Sequence, residues 1–205
     1  MRARTALIVL VLGAALAGCM TTRPSRFYTL TPASVAAAPA DTAGKPGKAA
    51  PLGLGPLDLP PYLDRPEIVT REGDYQVKMA EFDRWAEPLQ GMLSSVLADR
   101  LGKALQGRRE VVELPAHGGV EPYFGVAVSI DRFDADESGR VMLDARWRVY
   151  QTGDGHTVFT GRKSITEQGA PPPDYPAIVA AMSQALDDLA KAIAPAVPSP
   201  APSKG

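Results

Sequence analysis

The chain has 205 residues, of which 45% are hydrophobic and 22% charged, and its formal net charge at pH 7 is −1. A chain of this composition can bury a core, and its length suits a single domain. The densest basic group, Arg108-Arg109, is followed at once by Glu110. Nucleic-acid binding requires clustered positive charge, which this sequence lacks, so that class of function is excluded.

The first 18 residues are typical of an export signal. Arg2 and Arg4 precede an apolar run, residues 6–16, which is too short to cross a bilayer as a helix. We predict that residues 1–18 are a signal peptide that is removed.

Cys19, the only cysteine, ends the tetrapeptide Leu16-Ala17-Gly18-Cys19, which resembles the bacterial lipobox. The resemblance implies a mature lipoprotein that begins at Cys19, with diacylglycerol on the thiol and a further acyl chain, such as palmitate, on the amine. Because no second cysteine exists, an intramolecular disulfide is excluded.

Two or more acyl chains hold a protein stably on a membrane. In Gram-negative lipoproteins an Asp after the lipidated cysteine is the usual signal for retention in the inner membrane, and this chain has Met20 there. We therefore expect the protein on the periplasmic leaflet of the outer membrane.

Residues 19–26 are predicted to be a lipidated tether, and Phe27-Tyr28-Thr29-Leu30 has the composition of a strand. Residues 32–51 are mostly Ala, Pro, Gly and Lys without an apolar period, which indicates a flexible insertion. Residues 195–205 have the same character and are predicted to be a disordered tail. The folded domain is accordingly expected over residues 27–194.

Two segments have the apolar spacing of amphipathic helices. The first begins near Pro88 and is expected to stop at Gly107, and the second begins with Asp174 as N-cap and ends before Pro195. The apolar stripes, which we expect to face the core, are Leu89, Met92, Leu93, Val96, Leu97, Leu101 and Leu105 in the first helix and Tyr175, Ile178, Val179, Met182, Leu186, Leu189 and Ile193 in the second.

Most other segments alternate apolar and polar residues, as half-buried strands do. Because Phe133 is out of phase with Ile130, we expect a bulge or a twist between them. Three long strands, 123–134, 140–151 and 157–167, are joined by turns at 137–139 and 153–155, and shorter strands are predicted over 52–59, 67–71, 75–79 and 110–114. The predicted fold is α+β, a mainly antiparallel sheet packed against two amphipathic helices in a single domain.

Catalytic and metal-binding patterns are weak. Only His117 and His156 are available as bases, and no G-x-S-x-G nucleophile motif exists. Residues 134–139 begin like a calcium loop, but Ala145 stands where a bidentate Glu is required, so an acidic hairpin tip is the better interpretation. We predict no catalytic residues, no metal and no cofactor.

Four short motifs occur in order: Phe27-Tyr28-Thr29-Leu30, Leu59-Pro60-Pro61-Tyr62-Leu63-Asp64-Arg65, Ile68-Val69-Thr70-Arg71 and Trp85-Ala86-Glu87-Pro88-Leu89. Together they resemble the ABC-type transport auxiliary lipoproteins of the PqiC/YmbA type, over roughly residues 19–194. The resemblance implies a periplasm-facing outer-membrane lipoprotein that works with an MCE-domain protein and an inner-membrane transport complex. It also implies a role in lipid movement or envelope maintenance.

The second motif suggests a binding loop. Its two prolines would preorganise Tyr62 and Leu63 as an exposed apolar pair for a partner, with Arg65 as a polar contact at the rim. A structural role for Tyr62 and Leu63 is equally compatible with the pattern. For Trp85 the structural interpretation is favoured, with the ring holding the start of the first helix against the sheet.

Three alternatives to a docking protein remain open at this stage. The domain could itself bind an acyl chain, which requires an apolar cavity between helices and sheet. It could form a homo-oligomeric ring. A periplasmic hydrolase is a third class, motivated only by the two histidines and the abundant Asp.

Overall fold

The computed structural model of the protein describes residues 23–30, 50–115 and 121–199. Within these ranges one sheet of eight strands packs against two helices, so the predicted α+β single-domain architecture is confirmed. The strands are β1 (Arg26–Tyr28), β2 (Leu52–Asp58), β3 (Glu67–Glu72), β4 (Gln76–Trp85), β5 (Val111–Glu113), β6 (Phe124–Ala135), β7 (Arg140–Gln151) and β8 (Thr157–Gln168). The helices are α1 (Leu89–Ala104) and α2 (Tyr175–Ile193), and a 3₁₀ turn (Ala194–Ala196) follows α2.

The three long alternating segments form two consecutive hairpins, as predicted. β6 pairs antiparallel with β7, and β7 pairs antiparallel with β8, in both cases over nearly the whole strand. The register of β6 shifts between Ile130 and Arg132, which confirms the predicted bulge. Beyond the bulge Phe133, Asp134 and Ala135 are all buried, so the simple alternation ends there.

Two strands share the other edge of β6. β2 pairs parallel with residues 124–129, and β3 pairs parallel with the end of β6, where Thr70 lies opposite Ala135. β5 pairs parallel with β2. β2 and β3 therefore lie one after the other along the same edge of β6 and run in the same direction, and residues 59–66 connect them.

β4 is longer than the sequence pattern predicts. It covers Gln76–Trp85, whereas the alternation indicates a strand only over 75–79. Its second half lies between two neighbours, because Arg84 is paired with Glu67 of β3 on one side and with Phe27 of the parallel strand β1 on the other. Tertiary pairing thus extends a strand whose local pattern is poor.

The helices pack side by side on the sheet. α1 contacts β2 and β5, α2 contacts β6, β7 and β8, and the two helices contact each other. Their predicted apolar stripes are buried. The carboxylate of Asp174 accepts a hydrogen bond from the backbone N–H of Ala177 at 3.2 Å, which confirms the predicted N-cap. Neither helix of the described chain has the length and apolar character needed to span a bilayer.

The space between helices and sheet is filled by side chains. Leu93 and Leu97 of α1, Leu186 of α2, and Val126 and Leu143 of the sheet are fully buried within one apolar cluster. Binding of an acyl chain there would need an open apolar cavity. The close packing of these residues counts against that alternative.

Candidate functional site

A groove of about 720 Å³ lies where β1 meets β4 and the start of α2. Arg23 and Arg26 line its N-terminal side, Arg71 and Asp83 lie on the strands, and Tyr175 belongs to the α2 side. Arg23 is four residues from Cys19 in the sequence. The groove is therefore the part of the described domain that adjoins the predicted lipid anchor along the chain.

Asp83 fixes the first strand to the sheet. Its carboxylate accepts a hydrogen bond from the Tyr28 hydroxyl at 2.8 Å and pairs with the Arg26 guanidinium at 2.7 Å. Burial and the hydrogen bond to Asp83 raise the pKa of Tyr28 to about 12. The backbone N–H of Ala86 also donates to the Tyr28 carbonyl at 2.9 Å. The chain is thus held firmly within a few residues of the tether.

Asp134 is the centre of a second cluster, which reaches the groove through Arg71. Its carboxylate is completely buried and lies 3.0 Å from the Arg71 guanidinium and 2.8 Å from that of Arg132. The Tyr62 hydroxyl donates to the same carboxylate at 3.1 Å. Burial, together with the adjacent negative charge, raises the pKa of Tyr62 to about 12. A buried carboxylate with three donors is well satisfied, and we refer to these four residues as the Asp134 cluster.

The Asp134 cluster corrects two sequence-based expectations. Asp134 is not at an exposed acidic tip, because β6 continues through Ala135 and only Asp136 begins the turn. Tyr62 and Leu63 are not an exposed apolar pair either: Leu63 is 2% exposed, and the Tyr62 hydroxyl points to Asp134. Both side chains of the loop are committed to the domain's own packing.

Arg65 and Trp85 lie in different surroundings. Arg65 is half-buried, and its guanidinium contacts the sulfur of Met79. The partner-binding role of Arg65 stays a prediction. Trp85 is buried at the end of β4, three residues before Pro88, and its backbone N–H donates to the carbonyl of Pro66 at 2.7 Å.

Sequence reasoning missed two carboxylates: Asp83, which lines the groove, and Asp134, which binds the groove residue Arg71. A signal for Asp83 existed, because it stands two residues before the buried Trp85 and so falls on the inward phase of a strand. Asp134 gave no such signal, since the bulge disrupts the alternation just before it. A buried acidic side chain indicates a basic partner, which is Arg26 for Asp83 and Arg71 for Asp134.

The charged and hydroxyl side chains around the groove bind one another and so stabilise the fold. Within the described ranges no set of three or more His, Cys, Asp or Glu side chains is placed to bind a metal ion. His156 is exposed in the turn between β7 and β8, and its backbone N–H donates to the Asp154 carboxylate at 2.9 Å. His117 and Cys19 lie outside the described residues. The arrangement offers ion pairs and hydrogen bonds that rigidify the end of the domain next to the tether.

Comparison with known proteins gives a match over almost the entire domain. Residues 28–194 match the family model described as the ABC-type transport auxiliary lipoprotein component. This range starts within β1 and ends just after α2, so it includes Asp83 and the whole Asp134 cluster. No curated protein sequence matches the chain.

Solved structures share the fold at low sequence identity. The crystal structure of an uncharacterised protein has a TM-score of 0.66 and 19% identity, and the match covers 86% of this chain and 100% of that one. A Xanthomonas campestris protein of the DUF330 family has a TM-score of 0.58 and 18% identity, with coverage of 74% and 85%. These likenesses establish the architecture.

Proposed function

We propose that this chain, which belongs to the ABC-type transport auxiliary lipoprotein family, is the lipid-anchored accessory subunit of an envelope lipid-transport system. The observation that carries the proposal is the extent of the family match. It covers the domain from Tyr28 to Ala194 and is not confined to one motif. The family is one of transport components, and we assign the protein a docking role without catalysis.

The anchor is assigned to Cys19. It follows a basic start and a short apolar run, and its lipobox-like context agrees with the lipoprotein family. The strand β1 begins only seven residues later, and the contacts of Arg26 and Tyr28 with Asp83 hold β1 against β4. A short tether with a rigid attachment suits a protein that must stand at a defined height above a membrane.

The location and the partner follow from the same reasoning. With Met20 after the lipidated cysteine, the protein is expected on the periplasmic leaflet of the outer membrane. Its partners would be an MCE-domain protein and, through it, the inner-membrane transport complex. In this arrangement the lipoprotein holds the periplasmic part of the transport assembly at the outer membrane, in the service of envelope lipid homeostasis.

Crosslinking in intact cells tests this role. Protein with a C-terminal tag is purified from detergent-solubilised membranes after crosslinking, and its partners are identified by mass spectrometry. The matched control is the sequence from Met20 onward behind a cleavable export signal without a lipidated cysteine. We expect an MCE-domain protein and transporter subunits with the lipidated form and far less of them with the control. Recovery of no transport component with the lipidated form would overturn the proposal.

Protein purified in the same way but without crosslinking tests the alternative of a homo-oligomeric ring. Mass measurement at high protein concentration distinguishes a ring from a single copy. A strict monomer would count against self-association, and the docking role would be unaffected.

A further inference from the structure

Several turns meet at one end of the domain. The β3–β4 turn (73–75) and the β6–β7 turn (136–139) lie side by side, because β3 and the end of β6 are paired through Thr70 and Ala135, and both turns line one cavity of about 390 Å³. The loop before α2 joins them, since the backbone N–H of Gly169 donates to the Gly139 carbonyl at 3.0 Å. We call this surface the anchored end.

The described part of the chain begins beside this end. Arg23, the first described residue, lines the groove together with Glu72, which precedes the β3–β4 turn, and Glu137, which lies in the β6–β7 turn. Arg23 is four positions after Cys19 in the sequence, and a fully extended chain over that distance spans only about 14 Å. The lipid attached to Cys19 must therefore lie close to the anchored end.

The opposite end of the domain is beyond the reach of that tether. β7 runs from Arg140 at the anchored end to Gln151 at the other, and twelve residues at a rise of about 3.3 Å each separate the two ends by roughly 36 Å. The β7–β8 turn at Gly153 and the exposed Tyr123 belong to this far end, where the backbone N–H of Thr152 donates to the Tyr123 carbonyl. With the anchored end against the bilayer, the far end stands roughly 36 Å from it, and the far end could touch the bilayer only if the domain lay on its side.

The anchored end carries an aromatic side chain suited to a lipid surface. Tyr75 is 99% exposed at the tip of the β3–β4 turn. The turn is held by Gly73 with φ +65° and by a hydrogen bond of 3.3 Å from the Arg71 guanidinium to the Asp74 carbonyl. Tyrosine favours the membrane–water interface because its ring is apolar and its hydroxyl remains hydrated.

Charge does not supply the attraction. Among the described residues that line the groove and the cavity, six are basic and six are acidic. A surface with this balance has no excess positive charge for anionic lipid headgroups. Contact with the bilayer then depends on the acyl chains and on the aromatic ring, and it should be insensitive to salt.

We infer that the anchored end lies against the leaflet that holds the acyl chains, with Tyr75 in its interface as a second contact beside the lipid on Cys19. The inference rests on the proposed lipid anchor. It leaves the far end, with Tyr123 and the β7–β8 turn, directed away from the membrane and accessible to the transport partner.

Fluorescence quenching by lipids tests the orientation. The full lipidated protein is reconstituted in vesicles of phosphatidylethanolamine and phosphatidylglycerol that contain a nitroxide-headgroup lipid. Because Cys19 is consumed by lipidation, a single new thiol can be labelled in Glu137→Cys at the anchored end or in Gly153→Cys at the far end, both exposed positions. We expect loss of fluorescence at position 137 and only background quenching at position 153. Equal quenching, or stronger quenching at 153, would overturn the inference.

A second pair of variants isolates the aromatic contact. Tyr75→Ser in the Glu137→Cys background should reduce quenching at 137, whereas Tyr123→Ser at the far end should leave it unchanged. Unchanged quenching with Tyr75→Ser would overturn the assigned role of Tyr75. Flotation of the vesicles distinguishes the two proposals. Protein that fails to float with the vesicles contradicts the lipid anchor and with it this inference. Protein that floats but shows the reversed quenching pattern contradicts the orientation alone.

Discussion

Replacement of Asp134 by Asn tests the Asp134 cluster, because the change removes the charge and keeps the side-chain shape. The carboxylate is completely buried and accepts bonds from Arg71, Arg132 and Tyr62. Removal of one partner of a buried ion pair costs about 3–5 kcal/mol of unfolding free energy. Since the arginine side chains retain 20% and 23% of their exposure, water compensates in part, and we expect the lower end, about 3 kcal/mol.

The matched control is Asp131→Asn in the same strand. Asp131 binds Arg146 through two hydrogen bonds of 2.7 and 2.8 Å, but their side chains are 45% and 58% exposed. An exposed pair of this kind contributes less than about 1 kcal/mol. Urea denaturation, followed by the fluorescence of the buried Trp85 and Trp147, gives both values at unchanged m. If Asp134→Asn costs no more than Asp131→Asn, the stabilising role of the cluster is refuted.

Two further predictions concern the turns and the tyrosines. Gly139→Ala should lower the free energy of unfolding, measured by urea denaturation, by more than about 2 kcal/mol, because Gly139 has φ +78° and an added Cβ would lie 2.1 Å from the backbone of Ala170. Gly153→Ala, with open space around it, should change the free energy of unfolding little, and equal effects of the two variants would contradict the packing at Gly139. The pKa values of Tyr28 and Tyr62 are raised to about 12 in the folded state, whereas a tyrosine in the unfolded chain has a pKa of about 10. The neutral phenols therefore stabilise the folded state fully below a pH of about 10, and this stabilisation is lost as the pH rises from about 10 to about 12. Spectrophotometric titration of the six tyrosines should show a late phase that shrinks in Tyr62→Phe, and a single phase complete by about pH 11 would contradict the burial of both hydroxyls.

The hairpins and helices could be predicted because their information is local. β6, β7 and β8 alternate regularly around turn residues, and the α2 start combines Asp174 with an apolar period of helical spacing. The bulge before Phe133 was predictable for the same reason, since a break in the alternation marks it. Elements of this kind need no knowledge of their partners.

Long-range pairing could not be predicted from local patterns. The extension of β4 to Trp85 depends on β1, which lies more than fifty residues earlier, and the parallel placement of β2 and β3 along β6 depends on strands far apart in the sequence. The same limit explains why the sequence left an exposed and a structural role for Tyr62 and Leu63 equally open. The acceptor of the Tyr62 hydroxyl is Asp134, 72 positions away, and an apolar pair after two prolines is typical of exposed and buried loops alike.

The most direct test of the lipid-anchored transport role is the intact mass of the mature protein purified from its native membranes. We expect an N-terminus at Cys19 that carries a thioether-linked diacylglycerol and an amide-linked acyl chain, and a protein that leaves the membrane only with detergent. An unmodified N-terminus, or release of the protein by buffer alone, would contradict the anchor on which the proposed docking role depends.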